Sequence, residues 1–198
     1  MANQAPVPPP PAPAPSAPEG NSASAISNLG KTLMIAFNLG LTLIVVGCIF
    51  FGYRYVQARN AQINALQRVF ANHQWPETVK QAEALFAKYP ETRQTYGDQL
   101  GMALQFIAED QYKEALKLKP GDRKQAMTAL LPGLEQARTL VALNENALFA
   151  LYDCYNELGR MDQAKSVIDE AESRTDISAA RFKSAKLLFE RKQKQAAP

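Results

Sequence analysis

Between Lys31 and Arg54 the chain carries no charged residue, and the run Thr32–Tyr53 is apolar almost throughout. As a helix rising roughly 1.5 Å per residue it extends about 33 Å, against a bilayer hydrocarbon core of about 30 Å, so the pattern predicts one membrane-spanning helix. A cleaved signal sequence fits less well. Its apolar stretch is about 7–15 residues long and sits close to a basic N-terminus, whereas this stretch is followed by Arg54, Tyr55, Gln57 and Arg59.

Beyond the span the periodicity changes. Apolar residues recur every three or four positions among Ala, Leu, Gln, Glu, Lys and Arg, and β-branched alternation is absent. That is the signature of amphipathic helices, and the fold class is all-α. Breaks at Trp75-Pro76, Tyr89-Pro90, Glu109-Asp110-Gln111, Lys119-Pro120-Gly121, Leu131-Pro132-Gly133, Asn144 and Gly159 predict helices over 54–72, 76–88, 92–109, 111–118, 122–131, 133–142, 145–158, 161–173 and 177–193. The expected domains are a Pro/Ala-rich disordered tail over 1–31, a transmembrane helix over 32–56 and an α-helical domain over 57–198. From Ala5 to Pro18 the tail is almost only Pro and Ala. It therefore reads as a semi-rigid spacer in the polyproline conformation, not as a packed element.

Charge narrows the function. Removing Lys31, Arg54 and Glu19 from 22 basic and 19 acidic residues leaves 20 and 18 over 57–198, which is no electrostatic footprint for nucleic acid. Cys48 lies inside the span and Cys154 in the domain, so no disulfide framework exists. With His73 the only histidine, zinc-type ligand spacing is not assembled, and no metal or cofactor is expected. No GxSxG, HExxH, P-loop or GxGxxG occurs. Gly97-Asp98 and Gly121-Asp122 read as helix starts, and His73 beside Trp75 reads as a loop residue, so no enzymatic activity is expected.

Within the span, Asn38 and Thr42 lie four residues apart on one helix face, with Gly40 and Gly47 nearby. They are candidates for contact with another membrane helix, the competing possibility being that both bond their own backbone.

Leu151 to Ala164, continuing to Ala171, resembles a tetratricopeptide repeat. Tyr155, Gly159, Ala164 and Ala171 take its aromatic and small positions, with Ile168 where the family usually has Phe. A weaker unit places Ala103, Phe106, Tyr112 and Ala115 around a Glu109-Asp110-Gln111 turn, and the segment from Trp75 to Pro90 resembles the back half of a third. The resemblance implies stacked helix pairs with a concave face for extended peptides or partner helices. Phe106, Asn146, Phe149, Asp153 and Asn156 would line it. The aromatic members are expected to face the core, which leaves Asn146, Asp153 and Asn156 as candidate protein-binding residues.

Gly30-Lys31, Gly52-Tyr53-Arg54-Tyr55, Ala82-Glu83, Phe86-Ala87, Thr95-Tyr96-Gly97 and Ala103-Leu104-Gln105-Phe106 together resemble the YfgM family, ancillary subunits of the bacterial SecYEG translocon. The likeness runs from about Gly30 to Leu118; the Pro-rich tail, the longer span and the region around Pro132 depart from the family. It implies a non-enzymatic, single-pass protein of the bacterial inner membrane with a periplasmic domain, a scaffold accessory to the translocon and to a membrane-anchored peptidyl-prolyl isomerase chaperone. The charge count points the other way. Lys31 stands on one side of the span, and Arg54, Arg59 and Arg68 stand on the other, which by the positive-inside rule puts the domain in the cytoplasm as a receptor or assembly factor for a membrane machine. Labelling of Cys154 is the expected way to separate the two. Finally, Arg181, Lys183, Lys186, Arg191, Lys192 and Lys194 make the C-terminal helix basic. It fits either an anionic lipid surface or acidic partner, or a solvated cap with Phe182, Ala185 and Phe189 turned inward.

Overall fold

A computed structural model describes residues 22–196, with side chains described over 30–178 and 180–191. The tail expected over 1–31 lies outside the described residues as far as residue 21, and 22–31 are helical. Seven α-helices follow one another: α1 (Ser22–Ala71), α2 (Trp75–Lys88), α3 (Arg93–Ala115), α4 (Pro120–Leu140), α5 (Glu145–Glu157), α6 (Met161–Ser173) and α7 (Ala179–Ala196), with one 3₁₀ turn at Pro90–Thr92. Among the described residues there is no strand. The chain divides into two compact units between Tyr55 and Val56.

In the first unit, α1 is long and apolar enough to cross a membrane, and none of its apolar window is buried within the protein. Phe37 is 71% exposed and Phe51 74%. By length and composition it is one candidate membrane-spanning helix.

In the second unit a smaller core joins the end of α1 to α2 and α3 through Leu66, Ala82, Leu85, Tyr89 and Leu100. A larger one joins α3 to α7 and includes Met127, Leu134, Leu148, Leu151, Val167 and Phe182. Leu104 on α3 packs against both. Helix α3 adjoins α2, α4 and α5, α5 adjoins α4 and α6, and α6 adjoins α7. Consecutive hairpins thus lie side by side, because no single amphipathic helix can bury its apolar stripe alone.

Two of the hairpin turns share one geometry. Helix α5 ends with Gly159 at φ +73°. Gly159 N–H donates to the Asn156 carbonyl, and Arg160 N–H donates to that of Tyr155 at 2.8 Å. Helix α1 ends the same way: His73 has φ +56°, its N–H donates to Phe70, and Gln74 N–H donates to Val69 at 3.0 Å. Both are left-handed helix terminations of the Schellman type. The residue that follows repeats as well, Gln74 at φ −86°, ψ 70° and Arg160 at φ −85°, ψ 70°. Four residues further on, buried Thr78 and Ala164 occupy equivalent places.

Two expected breaks do not occur. Helix α3 runs through Glu109-Asp110-Gln111, so Ala103, Phe106, Tyr112 and Ala115 all lie on one helix and the turn belongs at 116–119. No Pro or Gly stands at 109–111, and Ala108 and Glu109 are buried against neighbouring helices. Helix α4 continues through Pro132. An interior proline costs a helix about 3 kcal/mol, but here its ring is exposed while Leu130, Leu131, Leu134 and Ala137 hold the other face in the core. Gly97-Asp98 lies inside α3, while Gly121-Asp122 does lie in the first turn of α4.

At Gly101, α3 lies tightly against the end of α4. A Cβ there would stand 2.8 Å from Leu140 Cβ and 2.9 Å from Val141 Cγ1. Alanine normally stabilises a mid-helix glycine position by roughly 0.5–1 kcal/mol. The clash outweighs that gain, since overpacking costs about 1–3 kcal/mol. Gly101→Ala is therefore expected to lower the urea midpoint of the detergent-solubilised chain, and a raised midpoint would contradict this packing.

Candidate protein-binding face

The polar anchor of this face is Asn144, the N-cap of α5. Its Oδ1 accepts from Ala147 N–H at 3.0 Å, satisfying a free donor of the first turn. Its own N–H donates to Gln105 Oε1 at 3.1 Å and its Nδ2 to Glu109 Oε1 at 2.7 Å. Gln105 and Glu109 are both buried on α3, so α5 is fixed against α3 by groups that have to be satisfied.

With that register set, α5 presents Asn146, Phe149 and Asp153 at helical spacing on one face. Tyr112 on α3 donates its hydroxyl to Asp153 Oδ2 at 2.6 Å. From α7, Arg181 Nη1 donates to Asn146 Oδ1 at 2.7 Å, lies 3.7 Å from Glu145 Oε1, and sets its guanidinium 4.2 Å from the centre of the Phe149 ring. Glu109, Tyr112, Lys113, Leu116, Asn146 and Arg181 line a cleft of about 190 Å³. Three helices thus contribute an amide, a guanidinium, a carboxylate and a phenol to one recess.

Burial raises the Asp153 carboxyl above its ordinary value near 3.8. Hydrogen bonding from Tyr112 opposes the rise, Glu157 adds to it, and Arg181 and Arg123 offset it. Burial likewise raises the Tyr112 phenol, reinforced by its bond to Asp153.

Of the three candidates only Asn146 lines the cleft, beside Tyr112 and Arg181; Asp153 lies outside the lining but is bonded to Tyr112, and the half-buried Asn156 lies further along α5, also outside it. Tyr112 and Arg181 carry no local signal for this role. Tyr112 reads as a packing aromatic and Arg181 as one of a run of basic residues, and only α3, α5 and α7 in three dimensions bring them together. Phe106 is not a contact residue of the cleft; it stacks on Trp75 with ring centres 4.6 Å apart. His73 stands edge-on to the same Trp75 at 4.9 Å, and its place in the chain is a helix termination. Phe149 meets Phe182 edge-on at 5.6 Å, and Tyr152 is buried, as expected of core aromatics.

In the first unit, Thr42 Oγ1 donates to the Asn38 carbonyl at 2.8 Å, so the threonine hydroxyl is satisfied by its own backbone. The Asn38 side chain is exposed, and added Cβ atoms at Gly40 and Gly47 would meet nothing within 4 Å. Among the described residues no group of three or more His, Cys, Asp and Glu side chains is placed to hold a metal ion.

No protein-family model, curated protein or solved structure matches the chain.

Cys154 corrects the expected labelling strategy. It is wholly buried, with Sγ 3.4 Å from Met127 Sδ, and burial pushes its thiol up to about 12. A thiol that holds its proton and has no solvent access does not attack maleimide. Cys154 is expected to stay unlabelled in the native chain on both sides of a membrane and to react at once in denaturant.

The raised Asp153 carboxyl makes a pH prediction of defined sign. Between about 3.8 and its folded value the native state holds more protons than the unfolded one, so stability falls as pH rises through that window. Asp153→Asn retains an acceptor for Tyr112 without the charge. The difference in urea midpoint between this variant and the parent is expected to shift in favour of the variant from pH 4 to pH 7. A constant difference would remove Asp153 as the source.

Proposed function

We propose that this chain is a non-enzymatic, membrane-anchored scaffold that holds other polypeptides on the α3–α5–α7 face of a tetratricopeptide-like helical stack. The observation that carries this reading is the recess that Glu109, Tyr112, Asn146 and Arg181 line from three helices, with Asp153 bonded to Tyr112 behind it. Amide, guanidinium and carboxylate groups there can pair with the backbone and side chains of an extended peptide, and exposed Leu116 supplies an apolar contact. The repeat reading draws support from the matched turns at His73 and Gly159, from buried Thr78 and Ala164 at equivalent places, and from α5 lying against both α3 and α4. The anchor is the apolar segment of α1, flanked by Arg54 and by Tyr53 and Tyr55, residue types that favour a membrane–water boundary.

The residues similar to the YfgM family give this scaffold its specific form. It is a bacterial inner-membrane protein with its domain in the periplasm, accessory to the SecYEG translocon and to a membrane-anchored peptidyl-prolyl isomerase chaperone. The excess of Arg54, Arg59 and Arg68 over Lys31 supports the second reading, a cytoplasm-facing receptor or assembly factor.

An exposed cysteine replaces Cys154 as the reporter. With Ser166→Cys in the full chain, labelling by an impermeant maleimide in intact spheroplasts is the expected result for a periplasmic domain. Protection until lysis would select the cytoplasmic reading. In both cases the chain is expected to stay with the membrane in alkaline carbonate, and its release would refute the anchor. Co-purification of translocon or chaperone subunits is expected to fall on the order of tenfold in Arg181→Glu, about 1.4 kcal/mol. Undiminished recovery would move the binding face elsewhere.

A further inference from the structure

Helix α7 has two apolar faces, and only one is covered. Phe182, Ala185 and Phe189 are buried in the core, and Tyr152 donates its hydroxyl to the Ala185 carbonyl at 3.1 Å. On the opposite side Leu187 is 51% exposed and Leu188 58%. Ser184, Leu187, Leu188 and Arg191 follow at helical spacing, which makes a second seam of the kind that packs against another helix.

The charges around this seam are distinctive. Lys186 turns toward α6 and donates to both carboxylate oxygens of Glu172 at 2.8 and 3.0 Å. Arg181 is held by Asn146 and Glu145. Lys183 and Arg191 are exposed, and among the described residues neither has an ion-pair partner. They lie four residues before and four after Leu187, about 6 Å away along the helix on either side. The seam is therefore a leucine pair bracketed by two uncommitted cations, with exposed Glu190 the one carboxylate of α7 among the described residues.

We propose that this face docks an amphipathic helix of a partner protein that brings an apolar stripe onto Leu187 and Leu188 and acidic residues onto Lys183 and Arg191. A second copy pairing through its own α7 is the wrong occupant. Pairing two α7 helices sets Lys183 against Arg191 when antiparallel, and like residue against like when parallel, so cation meets cation in both arrangements. An anionic lipid surface fits less well than a helix, because the large rings that would enter a bilayer interface, Phe182 and Phe189, are turned into the core and Ser184 lies in the seam. Lys183, Leu187, Leu188 and Arg191 are not among the residues that line the recess, and the substitutions below leave Arg181 in place.

The test uses the full chain in neutral detergent and three probes: a synthetic leucine-seam helix with flanking glutamates, its twin with lysines in place of the glutamates, and phosphatidylglycerol vesicles. The glutamate peptide is expected to bind at least about tenfold more tightly than the lysine peptide by fluorescence anisotropy, weakening as salt rises. Lys183→Glu with Arg191→Glu is expected to invert that preference, a result that a misfolded variant cannot produce. Leu187→Ser with Leu188→Ser is expected to abolish both. Failure of the glutamate peptide to bind, equal binding of the two peptides, an unchanged preference after charge reversal, or stronger binding to the vesicles would each overturn the proposal. So would self-association of the parent that these substitutions remove.

Discussion

The candidate face depends on a pair of buried polar residues. Gln105 and Glu109 are largely buried on α3, and leaving either unsatisfied would cost on the order of 1–3 kcal/mol. Asn144 bonds one oxygen of each, Gln105 through its backbone N–H and Glu109 through its side-chain amide, while the same residue caps α5. Sliding α5 by one residue along α3 would forfeit both inter-helix bonds, although the cap within α5 would persist. Apolar packing tolerates small shifts of one helix on another, whereas this junction does not. The register it sets puts Tyr112 opposite Asp153 and carries Asn146 to the mouth of the cleft.

The turns tell a related story about what a sequence reveals. Gly159 announces its own left-handed turn because glycine adopts positive φ without strain. His73 adopts nearly the same conformation, with the same two backbone bonds and the same angles in the next residue, yet no composition signal marks it. Histidine at positive φ is uncommon but sterically allowed, and the ring contact with Trp75 gives the side chain a reason to be there. The end of α1 together with α2 therefore reproduces a hairpin turn that was legible only between α5 and α6.

Helix ends punctuated by Pro76, Pro120, Asn144 and Gly159 were readable, as was the polar series along α5, because capping and turn chemistry are local. The errors arose where tertiary packing overrules local preference. Pro132 sits on the exposed side of α4 and the core holds the other side, so the helix passes through a residue that would end it in isolation. Adjacent acids at Glu109-Asp110 look like a surface turn, but one of them is needed inside the protein to receive Asn144. Arg181 looks like one cation among several until α7 is laid beside α5 and its guanidinium comes to rest over Phe149. Which residues of a polar strip converge is a property of the inter-helix register, and periodicity along one helix does not contain it.

The cations of α7 separate by the same logic. A lysine or arginine that faces a neighbouring helix is near fixed carboxylates and amides, and Lys186 and Arg181 are both held in this way. Those on the outer side face solvent and keep their full electrostatic reach, weakened only by salt. Leucine on that outer side is a different matter, since a solvated helix face has no use for two exposed apolar side chains at adjacent positions. Sorting charged residues by what already holds them therefore separates the part of a basic helix that serves the fold from the part left open to another molecule.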